Sequence, residues 1–246
     1  MFKIKKSIFK AIVIKKHYFI IMGLFLCILA ACAAYGIGYS ATKETMALPM
    51  SGKVILIDPG HGGIDAGAVA NDAVEKELNL KISKILQGYI EESGGVAILT
   101  RTEDSNTADP QRAKGISQKM SDLKERKKDI EDFDADIFIS VHMNKFQQSQ
   151  YKGAQVFYTD DESGESKRLG ETIQQAIKDT VDDNNNRKAK PSGNSIYVLK
   201  GNTVPSALIE CGFLSNSQEA ALLKTEDYQR RIAWGIYLGI SRFLSR

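Results

Sequence analysis

The stretch Ile55-Leu56-Ile57-Asp58-Pro59-Gly60-His61-Gly62-Gly63 decides the fold. An apolar run ends in a Pro-Gly turn, and the turn presents a histidine between glycines. Buried strands carry side chains to the end of a sheet, where loops hold reactive groups. Gly60, Gly62 and Gly63 allow the sharp bend. Alone, the motif fits a water-facing turn histidine at least as well as a functional one. The balance shifts because His142 follows a second apolar strand, Asp136-Ile137-Phe138-Ile139-Ser140-Val141. In a parallel sheet both strands end on one edge, so the two imidazoles can converge.

Six short apolar runs read as strands: 54–57, 96–99, 136–141, 154–158, 196–199 and 206–210. Between them lie stripes of helical spacing, read as core. One is Leu78, Ile82, Ile85, Leu86, Tyr89 and Ile90; another is Leu169, Ile173, Ile177 and Val181. The last is Tyr228, Ile232, Ile236, Ile240 and Phe243. This alternation predicts an α/β fold, a mostly parallel six-stranded sheet flanked by helices, as one domain over residues 53–246. The polar segment 103–133, with Lys119, Lys124, Glu125, Arg126, Lys127, Lys128 and Asp129, reads as a solvated helix or mobile loop.

The net charge of +3 comes from the terminus. Six of the 33 basic residues lie in residues 1–17 with no acid, leaving 27 against 30 acids, a net of −3 for the rest. That composition gives no electrostatic case for nucleic acid. Tyr18 to Thr42 then runs without a charge, and roughly 20 apolar residues suffice to cross a bilayer. Residues 1–42 therefore read as a basic region plus a transmembrane or signal segment, with residues 43–52 as a linker and the following domain exported. Leu29-Ala30-Ala31-Cys32 also resembles a bacterial lipobox with Cys32 as the lipidated residue. Cys27 and Cys32 fall in the apolar segment, so the exported domain keeps only Cys211 and no intrachain disulfide.

A catalytic zinc site takes three protein ligands. Glu75, 14 residues after His61, is the candidate third; Asp72-Ala73-Val74-Glu75 also has capping-box spacing, and the two readings stand level. Glu77 is a lesser alternative, one helical step away. Glu210 ends the apolar run Ser206-Ala207-Leu208-Ile209. A carboxylate there needs a partner or a task, such as general base beside a metal-activated water. Cys211 raises a thiol-nucleophile alternative, although strand alternation turns it away from Glu210. A small buried residue is its simpler account.

These residues resemble the zinc-dependent N-acetylmuramoyl-L-alanine amidases of bacterial cell-wall metabolism. The resemblance runs from about Val54 to the C-terminus. It rests on Asp58-Pro59-Gly60-His61-Gly62-Gly63, Glu75-Lys76-Glu77-Leu78-Asn79-Leu80, Leu99-Thr100-Arg101, Ser140-Val141-His142-Met143-Asn144 and Ile209-Glu210-Cys211-Gly212-Phe213-Leu214-Ser215-Asn216. It implies one Zn²⁺ held by His61, Glu75 and His142, with Glu210 as the catalytic carboxylate and Asn144 and Arg101 near the substrate. It also places Arg126 on a family arginine. Two departures stand out: the loop from His61 to Glu75 is a residue shorter than in familiar members, and segment 103–133 is longer.

The implied reaction cleaves the amide joining the lactyl group of muramic acid to L-alanine in peptidoglycan. The absence of wall-binding repeats and the export segment look most like the compact amidases of spore cortex, some of whose relatives need an activator protein. Two alternatives remain at this point: a zinc peptidase cutting within the stem, and a catalytically silent peptidoglycan-binding protein.

Overall fold

The computed structural model describes residues 17–33, 48–105 and 117–245. The chain divides into two units, Met1–Ala47 and Leu48–Arg246. In the first, residues 17–33 form a helix, α1, whose large apolar side chains are exposed. Among the described residues no helix is long and apolar enough to cross a membrane. The basic terminus and the rest of the expected 18–42 segment lie outside the described residues.

The second unit is built on a six-stranded sheet in the order β4-β1-β5-β8-β6-β7. The three central strands are β1 (Val54–Pro59), β5 (Ile137–Asn144) and β8 (Ser206–Phe213), flanked by β4 (Val96–Leu99), β6 (Gln155–Tyr158) and β7 (Lys190–Pro191). β1 pairs in parallel with β4 and β5, β5 with β8, and β6 with β7; only the β6–β8 pair is antiparallel. A small hairpin, β2 (Val69–Ala70) and β3 (Ala73–Val74), precedes α2 (Glu75–Glu92).

Strand alternation sorts the core into two layers. Ile55, Ile57, Ile139, Val141, Ile209 and Cys211 face α2, α4 (Glu165–Thr180) and α6 (Glu226–Leu244), where all three predicted helical stripes pack. Leu56, Phe138 and Leu208 face the other way, onto Ile130 of α3 (Gln118–Asp132) and onto Val198 and Leu199. α5 (Ser217–Leu223) follows β8.

Four expectations change. Residues 196–199 are not a strand: Tyr197–Leu199 is a 3₁₀ turn, apolar because Val198 and Leu199 are buried under α3. The sixth strand is Lys190–Pro191, a two-residue edge where proline's missing N–H is harmless. Segment 103–133 is also not wholly solvated. Of its described part, α3 turns Arg126 and Asp122 inward, Arg126 only 1% exposed, because Arg126 meets Asp58 beneath the helix and pairs with Asp122 along it. Finally, β5 and β8 run past His142 and Glu210, so both residues belong to strands rather than to the loops beyond them.

Candidate metal centre and active site

The site lies on the α3 side of the sheet. β1 delivers Asp58, and the chain then turns so tightly that His61 adopts the left-handed backbone (φ 63°), followed by Gly62 (φ 141°) and Gly63 (φ 55°). Left-handed φ is costly for a residue with a Cβ, so the surroundings must enforce it. They do so through three successive carbonyls. Pro59 O accepts from Arg101 Nε (2.8 Å) and Arg126 Nη1 (3.0 Å). Gly60 O accepts from Asn79 Nδ2 (2.9 Å) and Arg101 Nη2 (3.2 Å), and His61 O from Arg126 Nη2 (2.7 Å).

Beneath the turn, Asp58 is buried and accepts from Arg126 Nη1 (2.5 Å), Ser140 Oγ (2.7 Å) and Thr100 Oγ1 (2.8 Å). Burial opposes its ionisation, but Arg126 and then His142 outweigh that and hold its carboxyl below the usual range.

His142 and Glu210 stand opposite each other on neighbouring strands β5 and β8. Glu75, the first residue of α2, reaches in from the side. The capping-box reading fails there: Val74 is the N-cap, with no side-chain bond, and the Glu75 carboxylate is engaged elsewhere. One oxygen accepts from Ala68 N (2.7 Å). The other, Oε1, lies 2.9 Å from His142 Nδ1, 3.2 Å from His61 Nε2 and 3.0 Å from Met143 N. Burial works against its charge, yet the two imidazoles, His142 first, hold Glu75 far below the usual carboxylate range. Glu77 is exposed and points away.

Donor atoms of His61, Glu75 and His142 all lie within 4.8 Å of one another, forming a candidate metal-binding triad. Four ligands around tetrahedral zinc at about 2.0–2.2 Å stand roughly 3.4 Å apart, close to the two imidazole–carboxylate separations. Two imidazoles and a carboxylate also suit a borderline divalent ion. The residues fit such a group.

Glu210 leans over the triad. Its Oε2 is buried with no hydrogen-bond partner among the described residues. Burial pushes its carboxyl up to about 7; the His142 and His61 charges oppose that, and the Glu75 charge adds to it. His61 Nδ1 is 3.0 Å from Asp65 Oδ2, outside hydrogen-bonding geometry, and Asp65 is also 3.0 Å from Lys119 Nζ. A cavity of about 300 Å³ opens here, with His61, His142 and Glu210 on one side and Leu123, Ile196 and Leu208 among its apolar walls.

The structure thus brings together His61, Glu75, His142 and Glu210. Asn144 lies two residues beyond His142, past a register shift between β5 and β8, where its carbonyl accepts from Leu214 N (2.8 Å). Arg101 is 4% exposed and ties the Pro59 and Gly60 carbonyls of the turn to Lys76 O of α2. Sequence reasoning gave no role to Asp58, Asn79 or Gly67. Gly67 is marked only as a glycine after the turn, yet a Cβ on it would stand 2.6 Å from Glu75 Oε2 and 2.7 Å from His61 Cδ2.

A sheet-edge triad with metal-ligand chemistry and a second, buried carboxylate above it define a candidate metallohydrolase. Residues 55–242 match the N-acetylmuramoyl-L-alanine amidase family, and the chain belongs to that family. It is 40% identical over 199 residues to the germination-specific N-acetylmuramoyl-L-alanine amidase of Bacillus subtilis (strain 168), covering 80% of this chain and 82% of the relative. It also superposes on the CwlD amidase from Clostridioides difficile, solved in complex with the GerS lipoprotein, with TM-score 0.74 and 48% identity, covering 78% of this chain and 98% of that one. The amidase AmiC2 of Nostoc punctiforme follows with TM-score 0.67 and 30% identity, over 80% of this chain and 99% of that one.

Proposed function

We propose that this protein hydrolyses the amide between the lactyl group of N-acetylmuramic acid and L-alanine in peptidoglycan, with spore cortex as its substrate. The observation that carries the reading is Glu210 Oε2, a buried oxygen without a hydrogen-bond partner among the described residues, beside two imidazoles and a carboxylate. His61, Glu75 and His142 would hold one zinc ion. When bound, zinc supplies Lewis-acid polarisation of a carbonyl and of a water molecule.

The chain's own residues do the rest. Glu210 takes a proton from the water that attacks the lactyl carbonyl carbon. It holds that proton at Oε2 and returns it to the alanine nitrogen as the C–N bond breaks, acting first as base and then as acid. Asn144 is our candidate for a substrate contact. Arg101 serves the site by fixing the Pro59–Gly60 backbone.

The reading extends to location and partner. Residues 18–42 direct the domain out of the cytoplasm, as an anchor, a cleaved signal or a segment lipidated at Cys32. An activator protein is part of this reading, and the GerS lipoprotein solved in complex with the CwlD relative supports a lipoprotein as the kind of partner.

The test is mass spectrometry of cortex muropeptides digested by the zinc-loaded full chain, with and without extract of its own cells. Stem peptides released with free L-alanine amino groups are expected. Cuts within the stem would establish a peptidase instead, and no cut under either condition would leave a silent binding protein.

A further inference from the structure

Arg126 is the most buried guanidinium among the described residues, and its bonds converge on one turn. Nε donates to Asp122 Oδ2 (2.8 Å) on its own helix, α3. Nη1 reaches Asp58 Oδ1 (2.5 Å) and Pro59 O (3.0 Å), and Nη2 reaches His61 O (2.7 Å). Its charge is balanced by two carboxylates, so it has no need of a substrate anion. It borders the cavity yet is only 1% exposed.

We infer that Arg126 is a positioning residue of the metal centre: it locks His61 in the left-handed backbone and thereby fixes where that imidazole points. The argument starts from conformational cost. A histidine at φ 63° sits in a backbone region that is costly for a residue with a Cβ, and it persists there only where the surroundings over-determine it. The orientation of a carbonyl follows from the dihedrals on either side, so a donor fixed on His61 O fixes the turn at that residue. Only a planar fork with several N–H groups can meet Asp58, Pro59 O and His61 O together; an ammonium is a point charge on a flexible stem.

Arg101 and Asn79 hold the two preceding carbonyls, but no other hydrogen bond to His61 O is seen among the described residues. The same peptide group is held at its other end by Gly62 N, which donates to Asp65 O at 2.9 Å, so Arg126 supplies the side-chain bond on the ligand's own carbonyl. Imidazole orientation matters because groups behind metal ligands typically contribute about 10–100-fold in metal affinity.

This inference rests on the reading of His61, Glu75 and His142 as ligands, and the test separates the two. Cobalt(II) is titrated into the metal-free full chain, following visible absorption and affinity against a chelating dye. Wild type should bind one equivalent, and His61→Ala should lose it; a wild type that binds none sinks the ligand reading and this inference with it.

Given wild-type binding, Arg126→Lys keeps a cation opposite Asp58 but lacks the fork. It should bind cobalt about 10–100-fold more weakly, with a shifted visible band. If the lysine variant does not fold, the double variant Asp58→Asn, Arg126→Met removes both charges together and is read by the same two signals. Wild-type affinity and spectrum in the folded variant, whatever its melting temperature, would reduce Arg126 to a packing role and overturn the inference.

Discussion

Gly60 lies so close to His142 that a Cβ at position 60 would stand 2.1 Å from the imidazole Nε2. The turn after β1 and the middle of β5 are bound together at this point, Gly60 N donating to Val141 O at 3.0 Å. The glycine is therefore there for its neighbour as much as for the bend. His142 can meet Glu75 Oε1 only while position 60 carries no side chain.

Gly60→Ala should thus push the His142 ring aside without touching any ligand chemically. The expected outcome is sub-stoichiometric zinc by elemental analysis. Hydrolysis should fall about 10²-fold, the scale of an ångström's misplacement at a reacting centre. A variant with full zinc and full activity would show that His142 does not need its present position.

Glu210→Gln should keep zinc and lose hydrolysis by about 10²–10⁴-fold, because an amide has no basic oxygen to offer. The same change has a stability signature in the chelated, metal-free protein. A carboxyl raised to about 7 on folding favours the folded state while protonated. That contribution is complete below the unfolded value of 4.5 and is lost as pH rises through about 7. Chelated wild type should therefore lose about 3 kcal/mol across that window that the glutamine variant does not lose. Urea unfolding at pH 5 and pH 8 measures it, and parallel curves for the two proteins would contradict the burial of a proton-hungry Glu210.

Asp58→Asn leaves the buried Arg126 guanidinium facing a neutral amide. Removing one partner of a buried pair costs about 3–5 kcal/mol, so a large drop in melting temperature is expected at neutral pH. The sign with pH is opposite to that for Glu210. Asp58 is held below its unfolded value of 3.8, so its contribution is present above that value and is lost as pH falls through the folded one. Wild type should show a steep loss below about pH 4, and the asparagine variant a flatter one. Equal slopes would place the acid sensitivity elsewhere.

Much of this arrangement is legible in the sequence, because the central strands and the helices on the crowded face bury whole apolar stripes. No such stripe marks the edge of the sheet: Lys190–Pro191 pairs through backbone alone, and residues 196–199 are apolar for burial without being extended. His61, His142 and Glu210 are marked by following apolar runs. Glu75 is not separable from a cap by spacing, since the decisive contact, with His142 Nδ1, spans 67 residues. Arg126 is hidden among solvated charges, and its inward turn depends on Asp58, 68 residues away. Long-range pairing of polar groups leaves no local periodicity to read.

Cys211→Ala decides between the metal and thiol chemistries. The thiol is 1% exposed, on the α2 and α6 side of β8, while Glu210 faces the cavity on the other side. Burial pushes it well above its usual value, and the Glu210 and Glu75 charges add to the effect, so the reactive thiolate is suppressed. Hydrolysis should survive the substitution, at a stability cost of about 1 kcal/mol. In the folded wild type a thiol reagent should spare Cys211 under native conditions and label it only in denaturant. Loss of turnover in a folded, zinc-loaded alanine variant would return the sulfur to the mechanism and displace Glu210 from it.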